Sequence, residues 1–418
     1  MSNKVSIVLT VAILLSICGC TKESAKRCFP EKEMVMVFYG AGFNNLSSDI
    51  KRNIGIMKDG DLPFENSHHT LLTFTHLSKT DSDFANLTES HLVKLSKDFG
   101  VLKADTLLTI DKTRTASDPE VLREVMQKVA DLYPNAHYGL VVSSHGTGWL
   151  PAGKYSNSQN FVQYSNKKRY SADLPIYHYN EDPELPRVKT FSAEVELRGS
   201  VKYSQETTIQ SMAKAIPVHL DYLLFDACLM GCVEVAYEFR NVADKIAFSP
   251  AEVLVDGFDY SDLSSLLSDT PDLEAFCKRY FDYYENHAST RYATISVVRT
   301  EALDALASLC RELFARYRSG INGIGRRNAV QKYFRSGYDW FYDFVDILVT
   351  AGISRDDKEK LDAALDACIS YKAATPTFIT IQIDTYSGLS MYLPDSGDDD
   401  LNSFYKTLEW NKATNLVE

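Results

Sequence analysis

The chain has 418 residues, of which 45% are hydrophobic and 24% are charged, a composition typical of a globular protein with a large core. Its formal net charge of -12 argues against a nucleic-acid partner, because phosphate binding requires a basic surface. The sequence contains no low-complexity tract and no internal repeat.

The first 20 residues are typical of an export signal. Lys4 precedes the apolar run Val5–Ile17, which is too short for a comfortable membrane span. Ile17-Cys18-Gly19-Cys20 resembles the lipobox of bacterial lipoproteins, which would make Cys20 the lipidated residue; an ordinary secretory signal is the alternative. We expect a signal peptide over 1–20, a tether over 21–32, and an exported lipoprotein of the cell envelope, periplasmic or exposed on the outer membrane. The lipid would be its only attachment to the membrane.

From residue 33 to residue 150 the pattern predicts strands that alternate with helices. The continuous apolar run Met34–Tyr39 is typical of a buried parallel strand. The turn after it, Gly40–Asn45, lacks the third glycine of a dinucleotide-binding fingerprint, so we interpret it as a strand-to-helix turn. Further strands are predicted at Leu71–Leu77, Thr106–Ile110 and Tyr138–Ser144, and helices at Ser47–Met57 and from about Ser117 to Tyr133. This alternation predicts an α/β fold with a mostly parallel sheet covered on both faces.

The second half of the chain returns to this alternation after an irregular insertion over 150–204. Predicted strands are Leu220–Phe225, Lys245–Ser249, Tyr292–Val298, Phe378–Ile383 and Gly388–Leu393. Predicted helices are Gln205–Ala215, one directly after Cys228, Leu273–Asn286, Glu301–Tyr317, Asp339–Thr350, Asp356–Tyr371 and Leu401–Leu408. We therefore expect a main domain over 33–270 and a helix-rich region over 271–418 that completes it or packs on it.

Two predicted strands end in residues that can perform chemistry, His145 and Cys228. Ligands of parallel sheets bind beyond the carboxyl ends of the strands, where a thiol and an imidazole can meet. Cys228 would attack a carbonyl as a thiolate, favoured by the dipole of the following helix, and His145 would protonate the leaving amine. The N–H groups of Gly146 and Cys228 could bind the oxyanion. The structural alternative is a buried core thiol and a satisfied structural imidazole.

The other cysteines indicate neither a disulfide framework nor a metal site. Cys28, Cys232, Cys277, Cys310 and Cys368 are scattered along the chain without the spacing of a disulfide scaffold or a zinc site. We expect mostly free, buried thiols and no required cofactor.

The sequence around the two candidate residues resembles the clostripain family of cysteine peptidases. The resemblance is carried by Ser144-His145-Gly146-Thr147-Gly148-Trp149 and Asp226-Ala227-Cys228-Leu229-Met230-Gly231, with weaker support from Asn44-Asn45, Val233–Glu238 and Gly388–Pro394. It extends from about Met34 to the C-terminus. It implies a caspase-like α/β/α sandwich with a helix-rich C-terminal extension, a His/Cys dyad, and cleavage of protein or peptide substrates after Arg or Lys. The alternative is a binding lipoprotein that keeps this scaffold without turnover.

The resemblance also implies roles for further residues. Asp226 matches the acid that lines the pocket for the basic side chain, and Asp256 matches a second pocket acid more loosely; a helix cap and a turn are the alternatives. Family members are often zymogens cut between the histidine and the cysteine, and we expect a cut near Lys167, Lys168 and Arg169, unless this is a solvated basic loop. Some members need calcium, which Asp398-Asp399-Asp400 could attract, although a solvated turn is the alternative.

Overall fold

Strands and helices alternate through the computed structural model, which describes residues 33–155, 174–175, 186–189, 194–198, 201–325, 329–335, 340–394 and 398–418. The predictions for residues 1–32, Cys20 and Cys28 included, and for Lys167, Lys168 and Arg169 lie outside the described residues. The strands are β1 (Met34–Gly42), β2 (His69–Leu77), β3 (Ser90–Asp98), β4 (Val101–Ile110), β5 (His137–Ser143), β6 (Leu174–Pro175), β7 (Glu194–Arg198), β8 (Val201–Gln205), β9 (Leu220–Asp226), β10 (Ala243–Phe248), β11 (Thr294–Arg299), β12 (Tyr342–Asp343), β13 (Ile369–Ala374), β14 (Thr377–Phe378), β15 (Ile381–Gln382) and β16 (Ser390–Met391). The helices are α1 (Ser47–Asp59), α2 (Pro119–Leu132), α3 (Ile209–Ala215), α4 (Val233–Glu238), α5 (Leu273–Asn286), α6 (Leu303–Asn322), α7 (Phe344–Thr350), α8 (Arg355–Cys368), α9 (Asp399–Tyr405) and α10 (Glu409–Thr414).

Within the described residues, nine strands form one sheet in the order β13-β11-β10-β9-β5-β1-β2-β3-β4. The five central strands, β10, β9, β5, β1 and β2, are mutually parallel. Antiparallel strands extend the sheet at both edges, β3 and β4 beyond β2 and β11 and β13 beyond β10. The prediction of an α/β fold with a largely parallel sheet is confirmed. Since β11 and β13 come from the region over 271–418, that region shares the sheet with the rest of the chain.

The central strands are apolar on both faces because helices cover both sides of the sheet. Every residue of β1 is buried, and Met34 to Phe38 expose none of their surface. Helix α2 begins where the sequence supplies a cap: Pro119 occupies its first turn, and the Asp118 carboxylate accepts the N–H of Glu120. None of the helices in the described ranges is long and apolar enough to cross a lipid bilayer.

The structure corrects several predicted elements, mostly at the edges of the sheet. The strand β3 was not predicted, and the predicted helix Asp356–Tyr371 ends at Cys368, after which the chain continues as β13. Both strands lie at or next to a sheet edge, where half-exposed positions weaken the apolar alternation and pairing with a neighbour decides the conformation. The predicted helix Gln205–Ala215 begins only at Ile209, because Gln205 is the last residue of β8.

Candidate active site

Neighbouring strands bring the predicted histidine and cysteine to the same edge of the sheet. The strands β5 and β9 are parallel, and Ser143 at the end of β5 pairs in register with Asp226 at the end of β9. His145 and Cys228 each follow two residues beyond that pair. The equal spacing explains why two segments that are 83 residues apart in the chain meet at one edge.

Gly146 allows these two segments to lie in close contact. A Cβ atom at Gly146 would lie 2.4 Å from the carbonyl oxygen of Cys228 and 3.2 Å from its backbone nitrogen. Because real Cβ atoms do not approach backbone atoms so closely, any larger residue would separate the histidine loop from the cysteine loop. The two N–H groups predicted to bind an oxyanion therefore belong to adjacent backbone segments.

The Cys228 thiol is fully buried beneath the loop that follows β10. The backbone N–H of Val253 donates a hydrogen bond to Cys228 Sγ over 3.0 Å. The chain turns sharply after the cysteine, since Leu229 has a positive φ of 61°, which is strained for a branched side chain. The helix α4 begins only at Val233 and has six residues. The prediction of a helix directly after Cys228, on which the expected helix-dipole effect rested, was therefore wrong.

His145 is oriented by an asparagine that follows β1. Its Nε2 atom lies 2.7 Å from Asn45 Oδ1, and an amide oxygen can only accept a hydrogen bond. Nε2 therefore carries the proton, and Nδ1, for which the described residues provide no side-chain hydrogen-bond partner, keeps its lone pair. Burial lowers the pKa of His145 to about 3. A hydrogen bond with the Lys189 backbone raises this pKa, and the positive charges of Lys189 and Arg187 lower it further. In this state the imidazole is neutral.

A buried lysine of the chain itself occupies the pocket beneath Asp226. The Lys189 ammonium forms an ion pair with Asp226 Oδ2, and the two side chains are 1% and 0% exposed. The same carboxylate oxygen accepts hydrogen bonds from the hydroxyls of Ser143 and Tyr260, both over 2.9 Å. Gly257 closes the space, since a Cβ there would lie 2.8 Å from Lys189 Nζ. We call Ser143, Asp226, Gly257 and Tyr260 the lysine pocket.

Residues 187–189 pair with residues 253–255 in the way an extended peptide pairs with a sheet edge. We call the groove along residues 253–255 the cleft. The Lys189 N–H donates to the Val253 carbonyl over 2.8 Å, and the Val255 N–H donates to the Arg187 carbonyl over 3.1 Å. Between them, Val188 forms an antiparallel bridge with Leu254. This is strand addition, in which backbone hydrogen bonds fix the peptide and side chains enter separate pockets. Since Val253 also contacts Cys228, the backbone of Lys189 is held next to the thiol.

Asp256, predicted as a second pocket acid, is not brought to the lysine. Its carboxylate is 67% exposed and pairs with Arg52 over 2.9 Å. Arg52 in turn pairs with Asp49 over 3.1 Å. The residue next to it, Gly257, lines the lysine pocket instead. Sequence position alone could not distinguish the two, because a turn decides which of two neighbouring residues faces inward.

Several residues of this site were missed by the sequence reasoning. Lys189 was one basic residue among many in the insertion, and Ser143 and Tyr260 have no spacing that links them to Asp226. Their contacts depend on strand register and on the loop after β10. Only Asn45 had a signal, because it belongs to the motif near the first strand that carries the family resemblance.

The strand β7 is anchored at its start by a buried carboxylate. Glu194, at the start of β7, accepts the N–H of Ser117 over 3.0 Å and lies 2.7 Å from His76 Nδ1. The Val195 N–H donates to the Phe43 carbonyl over 2.9 Å. Contacts of described residues therefore hold the chain before residue 190 and again from residue 194.

The described residues contain no cluster of three side chains suited to a metal ion. Asp398 caps α9 by accepting the Leu401 N–H, and it pairs with Lys154 over 2.7 Å. The described cysteines are all buried, and no disulfide joins any two of them: Cys228, Cys232, Cys277, Cys310 and Cys368. The calcium prediction for Asp398-Asp399-Asp400 remains a prediction.

Comparison with known proteins identifies this arrangement. The sequence model of the clostripain family, Peptidase C11, matches residues 203–415, about half of the chain, and the match includes the cysteine loop. The chain belongs to the clostripain family. It is therefore a cysteine peptidase, and the resemblance inferred from the histidine and cysteine motifs is confirmed. No curated protein matches the chain significantly.

Solved structures of clostripain-family proteases share the fold over nearly the full length. An inactive zymogen of a C11 protease from Parabacteroides distasonis is 27% identical, with a TM-score of 0.71 over 92% of this chain and 98% of that one. A secreted C11 cysteine protease from Bacteroides thetaiotaomicron in complex with an irreversible peptide inhibitor is 22% identical, with a TM-score of 0.70 over 91% and 98%. The structure of the Bacteroides thetaiotaomicron protease called iotapain is 23% identical, with a TM-score of 0.68 over 92% and 99%. The latter two establish similarity of fold.

Proposed function

We propose that this clostripain-family peptidase is an endopeptidase that cuts after lysine or arginine, using Cys228 as nucleophile and His145 as general acid and base. The observation that carries the proposal is the Lys189 ammonium paired with Asp226 in the lysine pocket. A buried cation needs a carboxylate partner, and a substrate side chain entering the same pocket would meet the same carboxylate. The position of Lys189 next to the buried thiol supports cleavage directly after the basic residue.

The chemistry follows from the orientation of the two side chains. His145 Nδ1 takes the thiol proton, and the Cys228 thiolate attacks the carbonyl carbon to form a tetrahedral intermediate. The N–H groups of Gly146 and Cys228 stabilise its oxyanion. The carbon–nitrogen bond then breaks as His145 returns the proton to the leaving amine. Water hydrolyses the remaining thioester, which releases the carboxylate product and restores the thiol.

The same geometry supports self-processing at the Lys189–Thr190 bond. While Lys189 fills the lysine pocket, an outside substrate has no access to Asp226, so the intact chain is a zymogen. Cleavage after Lys189 would free the new carboxyl terminus to leave the cleft, while Glu194 keeps the other side attached through Ser117 and His76. The similarity to the Parabacteroides distasonis protein, described as an inactive zymogen, is consistent with this proposal.

Incubation of the purified chain tests self-processing. We expect the native chain to yield a fragment that begins at Thr190, identified by mass spectrometry, and Cys228→Ala and His145→Ala to remain intact. Lys189→Gln should abolish this cut. The triple variant Lys167→Gln, Lys168→Gln, Arg169→Gln is the matched control and should still be cut after Lys189. Processing after Lys167 to Arg169 instead would refute the assignment of Lys189 and support the earlier prediction.

An active-site label separates a peptidase from a binding protein that has lost turnover. A chloromethyl ketone with an arginine-like side chain should alkylate Cys228 in the processed chain and should block hydrolysis of a basic fluorogenic peptide. Asp226→Asn should reduce both labelling and hydrolysis, because the pocket loses its charge. An unlabelled thiol with no hydrolysis would support the non-catalytic alternative.

We also propose that the chain is exported and is anchored by lipid at Cys20. The lipobox-like segment supports this proposal, and one structurally similar protease is described as secreted. Metabolic labelling with a fatty acid should mark the native protein, whereas Cys20→Ala should be unlabelled and released from the membrane fraction. Calcium dependence can be tested in the same preparations by comparing activity with and without a chelator.

A further inference from the structure

The cleft holds a second basic side chain besides Lys189. Arg187 Nη2 donates to the Asn45 carbonyl over 3.0 Å and lies 3.2 Å from Asp49 Oδ2. The Asp49 side chain is 5% exposed, whereas the arginine is 46% exposed. The almost fully buried Asp49 carboxylate therefore pairs with the Arg187 guanidinium, which lies on the solvent side of the cleft.

The spacing of the two cations follows from strand geometry. In an extended strand, side chains at positions i and i+2 point to the same face, and the side chain between them points to the opposite face. Arg187 and Lys189 therefore share one face, and Val188 is 5% exposed and belongs to the main apolar core cluster. A cleft that accepts a strand in this register accepts a basic residue, an apolar residue and a second basic residue in sequence.

Asp49 has a compensating charge even without Arg187. Arg52, one turn further along α1, pairs with Asp49 over 3.1 Å and with Asp256 over 2.9 Å. Burial raises the pKa of Asp49, and the charges of Arg187 and Arg52 lower it. The carboxylate thus keeps one partner on the helix and has a second oxygen available to a peptide in the cleft. We call Asp49, Arg52 and the Asn45 carbonyl the Asp49 subsite.

We propose that the Asp49 subsite is a second specificity determinant, which selects substrates with arginine or lysine two residues before the basic residue that precedes the cut. This inference rests on the proposed function and narrows its substrate class to peptides of the type basic–apolar–basic. Arg187-Val188-Lys189 is the copy of that sequence carried by the chain itself. A charge-assisted hydrogen bond to a buried carboxylate is strong, but partial exposure of the arginine reduces its effect.

The test compares two fluorogenic peptides that end in Arg-Val-Lys and Gln-Val-Lys, both cut after the lysine by the self-processed chain. We expect kcat/KM to be about five- to tenfold higher for the arginine peptide. Asp49→Asn should remove this preference, so that the ratio of the two kcat/KM values falls to about one, because an amide offers the arginine no charge. Salt should reduce the preference, since an exposed cation is screened.

Asp81→Asn is the matched control. Asp81 accepts the Ser48 N–H over 2.7 Å and lies close enough to raise the pKa of Asp49, whereas the described ion pair of Arg187 is with Asp49. Its removal takes away a neighbouring charge and should leave the peptide preference intact. If the native enzyme cuts both peptides equally, or Asp49→Asn lowers both rates equally, the Asp49 subsite is refuted while cleavage after lysine stands. If the native enzyme cuts neither peptide, the proposed function fails and this inference fails with it.

Discussion

The buried ion pair between Lys189 and Asp226 can be tested by removing its two charges separately and together. Asp226→Asn leaves a 1% exposed ammonium with uncharged partners, the new amide oxygen, the Ser143 hydroxyl at 3.3 Å and the backbone carbonyl of residue 226 at 3.4 Å. Lys189→Met leaves a buried carboxylate that still receives the hydroxyls of Ser143 and Tyr260. Breaking a buried pair from one side typically costs about 3–5 kcal/mol, and the retained hydroxyls place both variants near 3 kcal/mol.

The double variant carries the decisive information. Asp226→Asn and Lys189→Met together leave no charge from this pair in the lysine pocket, and the new side chains have volumes similar to those they replace. We therefore expect a free energy of unfolding within about 1 kcal/mol of that of the parent. The two single losses should therefore be far from additive. The parent in all cases is Cys228→Ala, which prevents self-processing during the measurement.

Chemical unfolding at pH 7 measures the free energies of unfolding of these variants. Cleavage by trypsin shows whether the segment around Lys189 stays in the cleft. In the parent, the Lys189 side chain is buried, so trypsin should cut after it slowly; in Asp226→Asn the segment should leave the cleft and be cut rapidly. The exposed pair Lys278–Asp282, at 2.7 Å and 61% and 42% exposure, is the control, and Asp282→Asn should change stability by less than about 0.5 kcal/mol. Additive losses in the double variant, or unchanged trypsin cleavage, would refute the reasoning.

Three further predictions test the surrounding structure. Gly146→Ala should lower kcat/KM about a hundredfold, because its Cβ would collide with the Cys228 carbonyl, whereas Gly55→Ala, with no atom near its Cβ, should leave activity unchanged. Burial disfavours the charged form of His76, but the charge and hydrogen bond of Glu194 outweigh burial and raise the pKa of His76. The stabilisation by protonated His76 is full below pH 6.5 and is lost as pH rises through the folded pKa. His76→Gln should therefore cost more stability at pH 6 than at pH 9. Burial raises the pKa of Glu234 to about 7, so this carboxyl should contribute a loss of about 3 kcal/mol of unfolding free energy as pH rises from 4.5 to about 7. Glu234→Gln should remove that contribution in chemical unfolding.

The central strands and the positions of His145 and Cys228 at their ends were predictable because strong local signals coincide there. The apolar run at β1 and the runs that end in Asp226 and Ser143 match buried parallel strands, and burial on both faces tolerates few other sequences. Parallel strands deliver their carboxyl ends to one edge, so the meeting of His145 and Cys228 followed from the assignment of their strands. Edge strands such as β13 were missed, because their half-exposed pattern depends on the neighbour with which they pair.

By itself, the sequence determined the family, the α/β architecture and the two residues at the strand ends, since these depend on local periodicity and on motifs that are contiguous in the chain. Only the tertiary structure decided which basic residue of the insertion enters the lysine pocket and which acids meet a cation. Lys189 is selected by its backbone hydrogen bond to Val253, and Asp49 rather than Asp256 meets Arg187. The physical reason is that an ion pair depends on the distance and burial of side chains far apart in the chain, and sequence spacing contains neither quantity.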